Sequence, residues 1–285
     1  MKNSFRLLVL RVLSSLFPNY FGAIGAKHFL TPARRHHGQR WRPMFERLER
    51  TTVDTGETAF PLWRGGNGPR VLLIHGWEHD HDAMGAFVEP LLAGGFSVAA
   101  PDLPAHGQAP GHRAPVPTLA AAVAAAAGDA PLTAVIAHSV GAAATVRALG
   151  QGGIAPRALV LIGCPQGAGA QSAAQARAAG LGQRAIRRMH TIIESRLGIP
   201  LESLRVDRDL LAASVPTLLV HTRDDPVVSF SAAEHNAAHN PVVKRLTLDT
   251  GGHNRPLSDP RVIAAAVDFV TCAEQQDQKV AQQYR

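Results

Sequence analysis

From residue 58 onward, short apolar runs followed by turn residues alternate with longer stretches of helical character, and few folds accommodate that alternation. Parallel strands need crossover connections and are buried on both faces, so the pattern predicts an α/β chain: a mostly parallel sheet with helices on both faces. The runs read as strands are Val71 to Ile74, Ser97 to Ala100, Leu132 to Ala137, Ala158 to Ile162, Pro216 to His221 and Lys244 to Leu248. Met84 to Leu92, Leu119 to Ala127, Gly141 to Leu149, Phe230 to Ala238 and Asp259 to Cys272 read as helices.

One interval breaks the rhythm. Between the strand ending near Cys164 and the one beginning at Pro216 lie about fifty residues, too many for a plain crossover. A helix over about Gln183 to Leu197 and a second near Leu201 make residues 165–210 a small helical cap. It would sit over the carboxyl edge of the sheet, where ligands of such sheets bind. The bland alternative is surface decoration of an ordinary connection.

Ala137-His138-Ser139-Val140-Gly141 joins the run Leu132 to Ile136 to the small-residue stretch Gly141 to Leu149. A serine on a strained strand-to-helix turn projects its hydroxyl only if the two backbones approach closely, so its neighbours two residues away must be small. Ala137 and Gly141 meet that need. By itself the pentapeptide also suits a helix cap, and its partners decide the matter. A serine hydroxyl needs a base, and the base an orienting acid. Asp225, with Asp224 as rival, follows the run ending at His221, and His253 follows Leu246 to Leu248 in the turn Gly251-Gly252-His253. Serine, then aspartate, then histidine, each just past a strand, is the order of a nucleophile-elbow enzyme.

On these residues the sequence resembles the α/β-hydrolase superfamily over roughly residues 58 to 272. Ile74-His75-Gly76-Trp77 is similar to the turn that supplies the first oxyanion donor in many members. The resemblance implies the backbone N–H of Trp77 for that donor and the N–H of Val140 for the second. Pro101-Asp102-Leu103-Pro104-Ala105-His106-Gly107 resembles a further loop of the superfamily, with Ala105 where a glycine is usual, as Ala137 replaces the first glycine of the elbow. The stretches Thr31 to Arg35 and Thr250 to Arg255 look similar to a bacterial branch of undefined substrate.

The implied protein is a serine hydrolase of carboxylic esters or thioesters with Ser139, Asp225 and His253 as catalytic residues. It forms an acyl-enzyme and needs neither cofactor nor metal. An acyltransferase or lyase could use the same triad; a membrane-peripheral binding protein that had lost turnover would keep the same fold. His75, His79, His81, Asp80 and Asp82 superficially suggest a metallo-hydrolase cluster, but the oxyanion turn and a solvated loop explain them. His138 and His106 read as structural or rim residues, and His36, His37 and His235 to His239 as surface.

Charge divides the chain. Residues 1 to 50 carry ten Lys or Arg against Glu46 and Glu49, whereas residues 51 to 285 hold nineteen basic and twenty acidic side chains. The net charge of +7 is therefore local, and without aromatic interleaving it does not indicate nucleic acid. Residues 1–50 form a basic, partly apolar segment ahead of a hydrolase domain at 51–285. Phe5 to Phe17 is too short to span a bilayer and is interrupted by Arg6 and Arg11,; a signal peptide would start similarly. On a helical wheel Ser4, Arg11, Ser14 and Ser15 oppose Phe5, Leu8, Val9, Val12, Leu13 and Leu16. Such a helix either lies in an anionic membrane interface, aided by Lys27, Arg34, Arg35, Arg40 and Arg42, or packs on the protein's own body. Two cysteines, Cys164 and Cys272, are too few for a disulfide framework, so the expected address is cytoplasmic, with the inner membrane face as its extension.

Overall fold

The computed structural model describes residues 2–33, 40–238 and 240–283; Arg34, Arg35, His36, His37 and His239 lie outside them. The chain opens with α1 (Lys2–Leu16), α2 (Pro18–Leu30) and the short α3 (Arg42–Phe45). The alternating region follows as β1 (Glu49–Asp54), β2 (Ala59–Gly65), β3 (Arg70–Ile74), α4 (Val88–Ala93), β4 (Ser97–Pro101), α5 (Val116–Ala127), β5 (Leu132–His138) and α6 (Val140–Gly150). It continues through β6 (Pro156–Ile162), α7 (Ala168–Ala178), α8 (Gln183–Leu197), α9 (Val206–Ala213), β7 (Thr217–Thr222), α10 (Phe230–Ala237), β8 (Val243–Leu248) and α11 (Pro260–Gln283).

The strands form one eight-stranded sheet in the order β1-β2-β4-β3-β5-β6-β7-β8. It is parallel from β4 to β8, while β1 and β2 add an antiparallel edge. That hairpin has no counterpart among the predicted strands. Charged Glu49 and Arg50 and the proline at position 61 obscure its apolar alternation, and its place comes from pairing with β4, Leu62 opposite Pro101. The central strands β3, β5 and β6 are buried along almost their whole length, as strands covered on both faces must be. At the far edge Lys244 and Arg245 of β8 stay exposed, which blocks further pairing.

Two apolar layers flank the sheet. One packs Leu72, Val135 and Leu159 under α5 and α6; the other packs Leu73, Ile136 and Val160 under α4 and α11. The alanines of α5 and α6 let both helices lie close to the strands. The run Met84 to Leu92 is not one helix: a 3₁₀ segment, His81–Phe87, gives way to α4. Pro90 fits only a helix's first turn, and a side chain at Gly85 would collide with Trp41. At the other end α11 runs eleven residues past Cys272, where its apolar period fades but helix-forming residues continue, and Arg157 bonds Glu274 and Asp277 at 2.7 Å each.

Between β6 and β7 the helix predicted over Gln183 to Leu197 forms as α8, whereas Leu201–Ser203 is a single 3₁₀ turn. α7 and α9 were not legible: α7 is built of Ala, Gly, Ser and Gln with the single charge of Arg177, and has little apolar contrast. A third apolar cluster lies here, and it includes Ala26 and Leu30 of α2 beside Ile186, Met189 and Ile193 of α8. No single helix among the described residues is long and apolar enough to cross a membrane; Ser4–Leu16 and Pro18–Leu30 reach that apolarity only together and meet at a bend of 113°.

The layering predicts that Leu159→Ala, in a fully buried site, lowers the unfolding free energy in urea by about 2–5 kcal/mol. Leu13→Ala on the exposed side of α1 should change it by less than ~0.5 kcal/mol.

Candidate active site

The chain leaves β3 toward β4 on one side and returns to β5 on the other, so a crevice opens between the carboxyl ends of β3 and β5,. Ser139 stands at its edge, between β5 and α6, with φ 54° and ψ −124°. A non-glycine residue at positive φ costs roughly 1–3 kcal/mol and is kept only where its surroundings force it. The forcing is visible: the Ser139 N–H is tied to the Ile162 carbonyl at 2.8 Å. A Cβ on Gly141 would strike the His75 carbonyl oxygen, and one on Gly76 would lie 2.6 Å from His138 Nδ1 and 3.0 Å from Ser139 Cβ. Ala137, the replacement for a glycine, is fully buried between Ile74 and Leu161. A methyl group is thus accommodated on the strand side of the turn, but not on its helix side.

The loops after β7 and β8 bring two more predicted residues here. The Ser139 hydroxyl donates to His253 Nε2 across 2.9 Å, and His253 Nδ1–H donates to Asp225 Oδ2 across 2.7 Å. The other Asp225 oxygen accepts the N–H groups of Val227 and Val228 at 2.8 and 2.9 Å. Burial alone would raise the Asp225 pKa, but the bond and charge of His253 together with these two N–H groups hold it below the ordinary carboxylate value. Asp224 has a different task. It accepts from Gly252 and Gly251 at 2.8 and 3.2 Å and so clips the β8 turn to the β7 loop. Beneath the imidazole, Gly163 leaves just enough room: a Cβ there would approach His253 Cε1 to 3.0 Å.

Trp77, directly after Gly76, and Val140, the first residue of α6, line one cavity with Ser139 and His253. At the start of α6 the Val140 N–H has no intrahelical acceptor by position. The cavity has a volume of about 570 Å³, and apolar groups such as Val116, Met189, Leu201, Leu204 and Val228 are part of its wall. Phe21, Ile24 and Leu30 of α2 belong to that wall as well, although the sequence reading set residues 1–50 apart from the site. The small residues Gly22, Gly25 and Ala26 were the readable signal: Gly22 and Gly25 meet Arg188 and Met189 of α8 closely enough to exclude larger side chains.

The histidines and aspartates near Trp77 disperse into separate tasks. His75 is fully buried; its Nε2 accepts the Leu103 N–H at 2.9 Å and its Nδ1–H donates to the Gly76 carbonyl at 2.8 Å. His81 stacks on Trp63 and bonds Asp102 at 2.7 Å, and Asp80 caps the 3₁₀ segment by accepting the Asp82 N–H. Among the described residues no three His, Cys, Asp or Glu side chains gather as a metal site. His138, expected to be structural or a rim residue, supports His253 from behind: its Nε2–H donates to the His253 carbonyl at 3.1 Å.

The model of the alpha/beta hydrolase family matches residues 71–266, and the chain belongs to that family. A fluoroacetate dehalogenase of a Burkholderia species is 42% identical over 64 residues, which span 22% of this chain and 21% of that protein. An esterase of Pyrococcus furiosus superposes with a TM-score of 0.66 at 19% identity, covering 85% of this chain and 98% of the esterase. A thioesterase domain from the curacin biosynthetic pathway gives 0.58 at 21% identity, covering 78% and 98%.

Two outcomes follow from the site's packing. Burial, followed by the nearby His106, pushes the His75 pKa down to about 3, and burial with the neighbouring His253 lowers that of His138. The unfolded chain takes up these protons as the pH falls below about 6.5, while the folded chain does not. Stability is therefore complete above that value and erodes as the pH falls, by up to ~1.4 kcal/mol per pH unit and histidine. Urea unfolding at pH 7.5 and 5.5 should differ by about 2.7 kcal/mol for the two histidines together; a flat profile would show that these imidazoles charge freely. Gly141→Val should also cost several kcal/mol, because the His75 backbone cannot yield, and thermal melting would record it.

Proposed function

We propose that the protein is a serine hydrolase acting on carboxylic esters or thioesters with an apolar acyl part. The observation that carries this reading is the continuous hydrogen-bond chain from Ser139 through His253 to Asp225, opening onto an apolar cavity. Ser139 attacks the carbonyl carbon as His253 Nε2 takes its proton, and Asp225 stabilises the imidazolium that forms. The N–H groups of Trp77 and Val140, the latter at the positive end of α6, hold the oxyanion. His253 then returns the proton to the leaving alcohol or thiol, and water releases the acyl group by the same steps in reverse.

The dehalogenase likeness does not suggest carbon–halogen cleavage here. An alkoxide displacing halide from an alkyl carbon would leave an ether on the enzyme, which water does not release at a useful rate. A serine nucleophile turns over when it forms an ester to an acyl group. Transfer to an acceptor other than water uses the same acyl-enzyme, so product analysis with and without added alcohol separates hydrolase from transferase.

A fluorophosphonate probe should label the protein and fail to label Ser139→Ala. Hydrolysis of a short-chain aryl ester should fall by roughly 10⁴-fold or more in that variant and by about 10³–10⁴-fold in Asp225→Asn. Asp224→Asn should fall far less, since Asp224 holds the loop and does not touch the imidazole. Full labelling of Ser139→Ala would sink the reading.

A further inference from the structure

The first two helices turn an unexpected side outward. α1 meets the cap through a mixed stripe of Leu7, Leu10 and Ser14: the Gly182 N–H donates to Ser14 Oγ at 2.8 Å, and Leu7 and Leu10 lie over Gly180. α2 presses Gly22, Ala26 and Leu30 inward. Left facing solvent are Phe5, Leu8, Val12, Leu16, Phe17 and Tyr20, each between 52% and 69% exposed. A soluble monomer rarely exposes so many large apolar side chains side by side.

The charge around this face selects its occupant. The first 45 residues contain no acidic side chain, and Arg6, Arg11 and Lys27 are exposed. Next to Tyr20 a surface groove is lined by Lys27, Arg113 and Arg196 with no carboxylate among its residues. Two copies meeting symmetrically through this face would bring cations against cations, whereas an anionic lipid surface satisfies apolar and basic groups together. The bend of 113° between two short helices suits lying in an interface rather than crossing it. Ile24, 49% exposed, borders both the basic groove and the cavity that holds Ser139, so the face continues into the mouth of the site.

We propose that the α1–α2 face seats the protein on an anionic bilayer, and that the cavity takes its acyl substrate from that bilayer. The second half rests on the serine-hydrolase reading; the first does not. Cosedimentation with vesicles of phosphatidylglycerol and phosphatidylcholine tests the seating, with pure phosphatidylcholine vesicles as control. The full chain should bind the anionic vesicles and release in high salt, and Leu8→Glu/Val12→Glu/Leu16→Glu should weaken binding about tenfold or more. These side chains lie outside the cavity, so the triple variant should still hydrolyse a soluble short-chain ester while losing about tenfold on a long-chain ester embedded in anionic vesicles.

Absence of binding, or binding unchanged by the triple substitution, overturns the proposal. So does a stable dimer in solution that the triple variant dissolves, since the face would then be a protein interface. Retention on the vesicles after an alkaline carbonate wash also overturns it, in favour of an inserted segment. Binding as expected with no hydrolysis of either ester leaves the seating intact and removes the hydrolase reading with the substrate half.

Discussion

The close approach of backbones at the carboxyl ends of β3, β5 and β6 is the constraint on which this structure turns. Gly76, Gly141 and Gly163 lie at the three places where a Cβ would strike the serine turn, the His75 carbonyl or the His253 ring. Within that close packing Ser139 is held at positive φ by its bond to Ile162. The turn is set in a parallel sheet whose central strands are buried along almost their whole length, and such a frame can hold a costly turn without yielding.

The partners of Ser139 come from loops, and loops are positioned by hydrogen bonds rather than by burial. Two adjacent aspartates divide that work. Asp225 receives two backbone N–H groups and the imidazole, whereas Asp224 receives Gly251 and Gly252 and so fixes where His253 begins. His138 adds a donor behind His253. The packing that forms the site also buries His75 and His138 and so favours their uncharged forms,.

Above the sheet, α2 and α8 join in one apolar cluster, and the cavity wall is built from both. The amino-terminal helices are therefore part of the site's surroundings. Their outward side and the cavity mouth share Ile24, a continuity that connects whatever occupies that surface with access to Ser139.

The parallel core, the elbow at Ser139 and the strand-end positions of Asp225 and His253 were legible because each depends on local rules: continuous apolar runs for buried strands, small residues at a tight turn, and loops just past strand ends. The helix α8 was legible from its strong amphipathic period. Other features were hidden for equally physical reasons. The β1–β2 hairpin is specified by pairing with β4 rather than by its own pattern, and α7 has too little apolar contrast to announce itself. Two neighbouring carboxylates are equivalent on paper; only the tertiary structure, by aiming one at His253 and the other at two glycine N–H groups, separates Asp225 from Asp224. In the same way the apolar side of the first helix is plain from its residue spacing. Which side faces the protein was settled by the fit against the cap, with Ser14 bonding the Gly182 N–H and Leu7 and Leu10 lying over Gly180, because the shape of a packing partner is not written in one helix's own periodicity.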